Sequence, residues 1–213
     1  MMVPKRCLLK ACALSLALVC AACQPPAPAQ TAAASAAVSA SGFYGSDVRT
    51  EGLGGDFTLV GHHGQNVSLA DFRGKAVVLV FGYTHCPDVC PTHLVTYAEA
   101  LAQLGEAASE VQLLFVTVDP ERDTPALLAQ YVPVFHADFI GLTADAADTA
   151  LLNQVKRQYR IASEKVPHPS GHYSVDHSTG TYLLDRTGAV AVYEPNGQTA
   201  TELAHDLRVL LGQ

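Results

Sequence analysis

Two cysteines, Cys86 and Cys90, stand in the run Phe81-Gly82-Tyr83-Thr84-His85-Cys86-Pro87-Asp88-Val89-Cys90-Pro91, and no cysteine follows them. Two thiols this close either close into a disulfide or hold a soft metal ion, because the thiolate is both the nucleophile and the ligand form of cysteine. Pro87 and Pro91 each favour a helix start or a rigid turn. With Cys90 in a first helical turn, unpaired N–H groups and the positive helix end favour its thiolate. The C-x-x-x-C spacing puts the two cysteines about one helical turn apart on one face. That geometry permits a disulfide and equally permits an ion held between two sulfurs. A soft ion needs a further donor, and imidazole with thiolates suits copper or zinc. His177, in Tyr173-Ser174-Val175-Asp176-His177-Ser178-Thr179, is the candidate third ligand.

These residues have to be positioned by the elements around them. Ala76 to Phe81 and Val111 to Val118 are continuous apolar runs, the pattern of strands buried on both faces. Phe57 to Val60 and Gln65 to Ser68 flank Gly61-His62-His63-Gly64 as an N-terminal hairpin. Thr92 to Leu104 is helical in spacing. Thr124-Pro125 opens another helix, with threonine as N-cap and proline at the first helical position. Phe139 to Leu142 predicts a strand and Asp145 to Tyr159 a helix. Residues 163 to 176, polar and rich in Pro, Gly and His, predict a loop. Thr181 to Leu184 and Ala189 to Tyr193 form a second hairpin across Asp185-Arg186-Thr187-Gly188. Thr199 with Glu202 is a capping box for a last helix ending at Leu211.

Strand, dithiol and helix, then strand–helix units, a hairpin and a closing helix follow the thioredoxin-like α/β order. The expected fold is therefore thioredoxin-like, with an N-terminal β-hairpin extension and a loop insertion before the penultimate hairpin. The His177 junction packs beside the dithiol in such a fold. Ordinary thioredoxin-type oxidoreductases carry a cis-proline there, and this chain has no proline between Gly171 and Thr181.

Six cysteines occur in 213 residues, and Cys7, Cys12, Cys20 and Cys23 all lie in the first 23. Lys5, Arg6 and Lys10 followed by apolar Ala11 to Ala22 read as an export signal. Twelve helical residues span about 18 Å, short of a hydrocarbon core of roughly 30 Å. Cys20-Ala21-Ala22-Cys23 resembles a lipobox with Cys23 as the lipidated residue, and simple cleavage is the alternative. Residues 24–42 carry Pro, Ala, Ser, Gln, Thr and Gly with one Val, the composition of a flexible tether. The folded domain is expected over 43–213. Export without scattered cysteines excludes a disulfide-stapled fold and leaves the pair as a site. Outside the leader, 10 basic residues face 20 acidic ones, a net charge near −10, so nucleic-acid binding is not expected.

Three motifs in order carry a family resemblance: the Phe81 to Pro91 run, Val118-Asp119-Pro120-Glu121-Arg122-Asp123-Thr124-Pro125, and Val175-Asp176-His177-Ser178. Over roughly 55 to 211 the chain resembles the SCO/SenC family of thioredoxin-fold copper proteins. The resemblance implies one copper ion, Cu(I) or Cu(II), with Cys86, Cys90 and His177 matching the family's ligands. It implies Asp119 as a neighbour of the site without a ligand role. It also implies delivery of copper to the CuA-bearing subunit of cytochrome c oxidase, exchange with other periplasmic copper chaperones, and a periplasm-facing, membrane-tethered location. The competing function is a thiol–disulfide reductase acting on the oxidase subunit through Cys86 and Cys90, which has no need of His177. A peroxidase is less favoured, because peroxiredoxins place Thr or Ser three residues before the attacking cysteine and Tyr83 holds that place here. His62 and His63 are expected to be solvated in a turn, and His168 and His172 to lie on the polar loop. Asp119-Pro120 and Asp123 are expected as turn and cap residues.

Overall fold

The structure is a computed structural model that describes residues 38–213. The export signal, Cys7, Cys12, Cys20, Cys23 with its lipidation, and most of the 24–42 tether lie outside the described residues. From Ser39 the chain makes a turn, with the Ser39 amide donating to the Phe43 carbonyl at 2.7 Å.

The strands are β1 (Ser46–Asp47), β2 (Thr58–Gly61), β3 (Asn66–Ser68), β4 (Ala76–Gly82), β5 (Val111–Thr117), β6 (Ile140–Thr143), β7 (Ser163–Pro167), β8 (Tyr173–His177), β9 (Thr181–Leu184) and β10 (Val190–Glu194). The helices are α1 (Val89–Leu104), α2 (Pro125–Tyr131), α3 (Ala150–Gln158) and α4 (Ala200–Leu211). Eight strands form one sheet in the order β1-β10-β9-β4-β5-β6-β2-β3. β4, β5 and β6 run parallel, and β9 pairs antiparallel with β4.

Every residue of β4 and β5 is buried, because helices cover both faces of the sheet centre. Val78 and Val80 face one cluster with Leu94 and Leu101 of α1, Leu128 of α2 and Leu203 and Leu207 of α4. Val77, Leu79 and Phe81 alternate to the other, with Leu152 and Val155 of α3. The sheet is thus wrapped by α1, α2 and α4 on one face and α3 on the other, the thioredoxin-like architecture expected from the order of elements. No helix among the described residues is long and apolar enough to cross a membrane.

Two expectations need correction. Residues 163 to 176 do not form a loop: β7 and β8 pair as a separate two-stranded hairpin, from Ser163 opposite His177 to Pro167 opposite Tyr173. Only Val175 of this hairpin is buried, so the apolar alternation that announces a strand is missing. The helix expected from Asp145 begins only at Ala150. Asp145 Oδ1 accepts from the Ala147 amide at 2.8 Å and Asp148 Oδ1 from the Ala150 amide at 3.1 Å. Each carboxylate thus folds the backbone two residues on into a turn that competes with helix. Thr124 and the Thr199–Glu202 capping box stand where expected.

A buried acidic pair joins the N-terminal entry to α4. Asp206 is fully buried and accepts from the Tyr44 amide at 2.9 Å and the Gly45 amide at 2.7 Å. Glu194, 2 % exposed, has no donor on either carboxylate oxygen at full hydrogen-bonding geometry. Burial, reinforced by Asp206 beside it, raises the Glu194 carboxyl to about 9. The protonated group is the form that can donate to Asp206. Its folded value lies above the unfolded one of about 4.3, so its stabilisation is complete in acid and is lost as pH rises through about 9. Urea unfolding between pH 6 and 9 is expected to show stability falling with pH, and Glu194→Gln should flatten the slope. An unchanged slope in that variant would remove Glu194 from the explanation.

Candidate metal centre

The dithiol motif sits where strand gives way to helix. β4 ends at Gly82, and a turn closed by the Cys86 amide on the Tyr83 carbonyl, 3.2 Å, leads to α1. Gly82 must lack a side chain: a Cβ there would lie 2.9 Å from Cys90 Sγ and 2.8 Å from the Phe115 ring. Helix α1 starts at Val89, three residues before the expected Thr92, so Cys90 is in its first turn.

Both cysteines are free thiols, Cys86 half-buried and Cys90 1 % exposed. The Cys90 amide, one of the free N–H groups at the helix start, points to Cys86 Sγ at 3.4 Å. Cys90 stands in the first helical turn as expected, but the helix-end stabilisation of its thiolate is outweighed by burial. Burial dominates and pushes the Cys90 thiol well up, with Cys86 and Asp123 adding to the effect against an opposing bond from the Tyr83 backbone. Cys90 therefore holds its proton at neutral pH in the metal-free protein.

His177, the last residue of β8, reaches this sulfur: Nε2 lies 3.6 Å from Cys90 Sγ. Its Nδ1 lies 2.8 Å from the Ser178 carbonyl oxygen, which can only accept, so the ring proton is on Nδ1 and the Nε2 lone pair faces Cys90. Burial, with a smaller contribution from His93, lowers the pKa of His177 against the opposing Ser178 bond, which keeps the ring neutral. The Tyr83 ring meets it edge-on at 5.8 Å.

The Cys90–His177 separation matches two legs of a metal site. With metal–sulfur and metal–nitrogen lengths of about 2.3 and 2.0 Å, a gap of this size corresponds to a ligand angle near 110°. The same separation suits an S–H···N contact, so a proton and a soft ion compete for one place. Among the described residues no three His, Cys, Asp or Glu side chains converge ready-made on one point. Cys86 Sγ stands beside this pair, 3.4 Å from the Cys90 amide.

Behind the cysteines lies a polar frame that sequence alone rated as turn and cap. Asp123 is fully buried; its carboxylate accepts from the Thr84 amide at 3.0 Å, Thr84 Oγ1 at 2.6 Å and Thr117 Oγ1 at 2.6 Å. Asp119, 1 % exposed, accepts from Tyr173 Oη at 2.9 Å and from Arg122 Nε. Thr84 Oγ1 spends its proton on Asp123, so it accepts from His85 Nδ1 at 3.0 Å. His93, one turn beyond Cys90, lies 2.7 Å from Asn196 Oδ1. Arg122, Tyr173 and Tyr83 carried no assignment from the sequence, although Arg122 lies inside the Asp119 to Pro125 motif.

His62 and His63 lie in the expected turn and His63 is exposed as expected, but His62 is not solvated. His62 is buried, and its Nδ1 accepts from the Gly141 amide at 2.9 Å. That bond fixes the His62 proton on Nε2, which faces His63 Nε2 at 3.0 Å. The pair is bridged by a proton, and His62 has no lone pair to offer an ion. His168 is on the hairpin turn, with its amide donating to the His172 carbonyl at 2.8 Å.

A parallel sheet centre wrapped by helices, with a C-x-x-x-C pair at the start of the first helix and His177 beside Cys90, defines a thioredoxin-like protein. Residues 46–212 match the SCO1/SenC family model. The chain belongs to the SCO1/SenC family. It is similar to the mitochondrial SCO2 homologue of Bos taurus, 42 % identical over 157 residues, covering 72 % of this chain and 58 % of the bovine protein. It thus spans less than two thirds of that relative's length. Among solved structures it resembles Bradyrhizobium japonicum ScoI with copper bound, at 39 % identity and TM-score 0.68, covering 74 % of this chain and 99 % of that one. Arabidopsis thaliana ScoI with copper bound gives 33 % identity and TM-score 0.70, covering 76 % and 99 %.

Proposed function

We propose that this domain is a copper chaperone. It takes one copper ion as cargo, Cu(I) or Cu(II), on Cys86, Cys90 and His177, and delivers it to the CuA centre of a cytochrome c oxidase during assembly. The observation that carries this reading is the 3.6 Å approach of a proton-free His177 Nε2 to Cys90 Sγ. Two soft sulfurs with one imidazole suit copper, and relatives with copper bound support the choice. In this reading the leader with Cys23 and the 24–42 tether hold the domain at a periplasm-facing membrane surface, where it meets the oxidase subunit and other copper chaperones.

Reduction of the oxidase subunit's cysteines is the competing reading. An oxidoreductase also profits from one accessible and one buried cysteine, as Cys86 and Cys90 are. It has no need of His177 as a ligand, and there the imidazole lone pair would serve only as a base for the Cys90 proton.

Anaerobic Cu(I) titration of the reduced protein against a chromogenic competitor separates the two. About one equivalent should bind. Affinity should rise about tenfold per pH unit from the Cys90 proton alone, since that proton has to leave. His177→Ala should weaken binding by at least 10–100-fold, the loss typical of changes even one shell further out. Stoichiometric binding indifferent to His177→Ala would sink the three-ligand site, and no binding would sink the chaperone.

A further inference from the structure

We infer that Arg122 and Tyr173 form a latch that holds the β7–β8 hairpin, and with it His177, over Cys90; the inference rests on the ligand role proposed for His177. The hairpin shares no strand pairing with the eight-stranded sheet. A lone two-stranded hairpin is marginally stable in water, so its position has to come from side chains. Strand alternation puts Tyr173, Val175 and His177 on one face of β8. Val175 is the buried plug, and its amide donates to Tyr83 Oη at 3.3 Å. His177 is the ligand end.

Tyr173 is the other end, and it is gripped. The Arg122 guanidinium lies 3.7 Å from the Tyr173 ring centre and 5.7 Å from that of Tyr83. Its Nη1 donates to the Tyr173 carbonyl at 2.9 Å, and its Nε to Asp119. Tyr173 Oη donates to the same Asp119 at 2.9 Å. Lys165 of β7 pairs with Glu121 and lies 4.9 Å from the Tyr173 ring. The grip therefore joins the turn after β5, the residue three before Cys86, and the hairpin. Cation–π contact and a forked guanidinium are features that lysine does not reproduce. Arg122 and Tyr173 are positioning residues that act through His177.

Two readouts test the latch. Hydrogen exchange at the Val175 amide in the metal-free protein should accelerate in Arg122→Ala and Arg122→Lys, and less in Tyr173→Phe, with global unfolding measured alongside. Cu(I) affinity should fall about 10–100-fold in Arg122→Ala. In a His177→Ala background the same change should cost nothing further, because the ligand it positions is gone. Should Arg122→Ala fail to fold, Tyr173→Phe carries both readouts. Unchanged Val175 exchange, or an equal loss of affinity with and without His177, would overturn the latch. If His177→Ala leaves copper binding intact, the ligand assignment fails, and Val175 exchange still decides whether the latch exists.

Discussion

Cys90→Ser is expected to reduce Cu(I) affinity by more than 100-fold while leaving the fold intact. The exchange is nearly isosteric, and Cys90 sits against Gly82 and His177, so the cavity is little changed. The chemistry changes completely. A serine hydroxyl does not ionise at accessible pH and is a hard donor, whereas a thiol deprotonates when a soft ion competes for it. Cys90 is the donor already beside the imidazole, so losing it removes one half of the Cys90–His177 pair on which the proposed site rests. Changes one shell outside a metal site cost about 10–100-fold, and a direct ligand should exceed that. Circular dichroism and thermal unfolding should stay close to wild type. Near-native affinity in the folded variant would show that copper is held elsewhere.

Asp123→Ala is expected to destabilise the domain by about 3 kcal/mol or more and to loosen the site at the same time. Its carboxylate is fully buried and takes three hydrogen bonds, two from Thr84 and one from Thr117. Removing it leaves those donors in a dry pocket, at about 1–3 kcal/mol for each that finds no other acceptor. Thr84 is two residues from Cys86, so the turn that presents the dithiol loses its anchor. Asp123→Asn keeps one acceptor oxygen and should fall between alanine and wild type. Urea unfolding and Cu(I) titration of the three proteins should rank in that order. A loss below about 0.5 kcal/mol for alanine would show that water replaces the carboxylate.

The parts of the fold that were legible are those whose physics is local. Ala76–Phe81 and Val111–Val118 are unbroken apolar runs because both faces of the sheet centre are covered. Thr199 and Glu202 cap one another within four residues. The hairpin that carries His177 was not legible: Pro167 and Pro169 interrupt it, and a single buried side chain leaves no period to read. At the site, residue types and order pointed to Cys86, Cys90 and His177, and the structure brings Cys90 and His177 to 3.6 Å. At Cys90 the helix-end effect follows from the motif, whereas the burial that outweighs it depends on residues far along the chain. Asp119 and Asp123 sit in a turn-like sequence, Asp-Pro-Glu-Arg-Asp, and their acceptor roles emerge only when Thr84 and Tyr173 arrive from elsewhere.

The anchoring of Tyr44 and Gly45 by Asp206 has a mechanical consequence. Tension applied at the N-terminal end of the described chain meets those two amides and the two-residue β1 first. β1 hangs on β10, and β9 stands between β10 and the dithiol strand. A pull would peel the short edge strand from the sheet, one pair at a time, before any load reached β4. The entry to the domain thus acts as a sacrificial seam that isolates the sulfurs from strain on the chain before them.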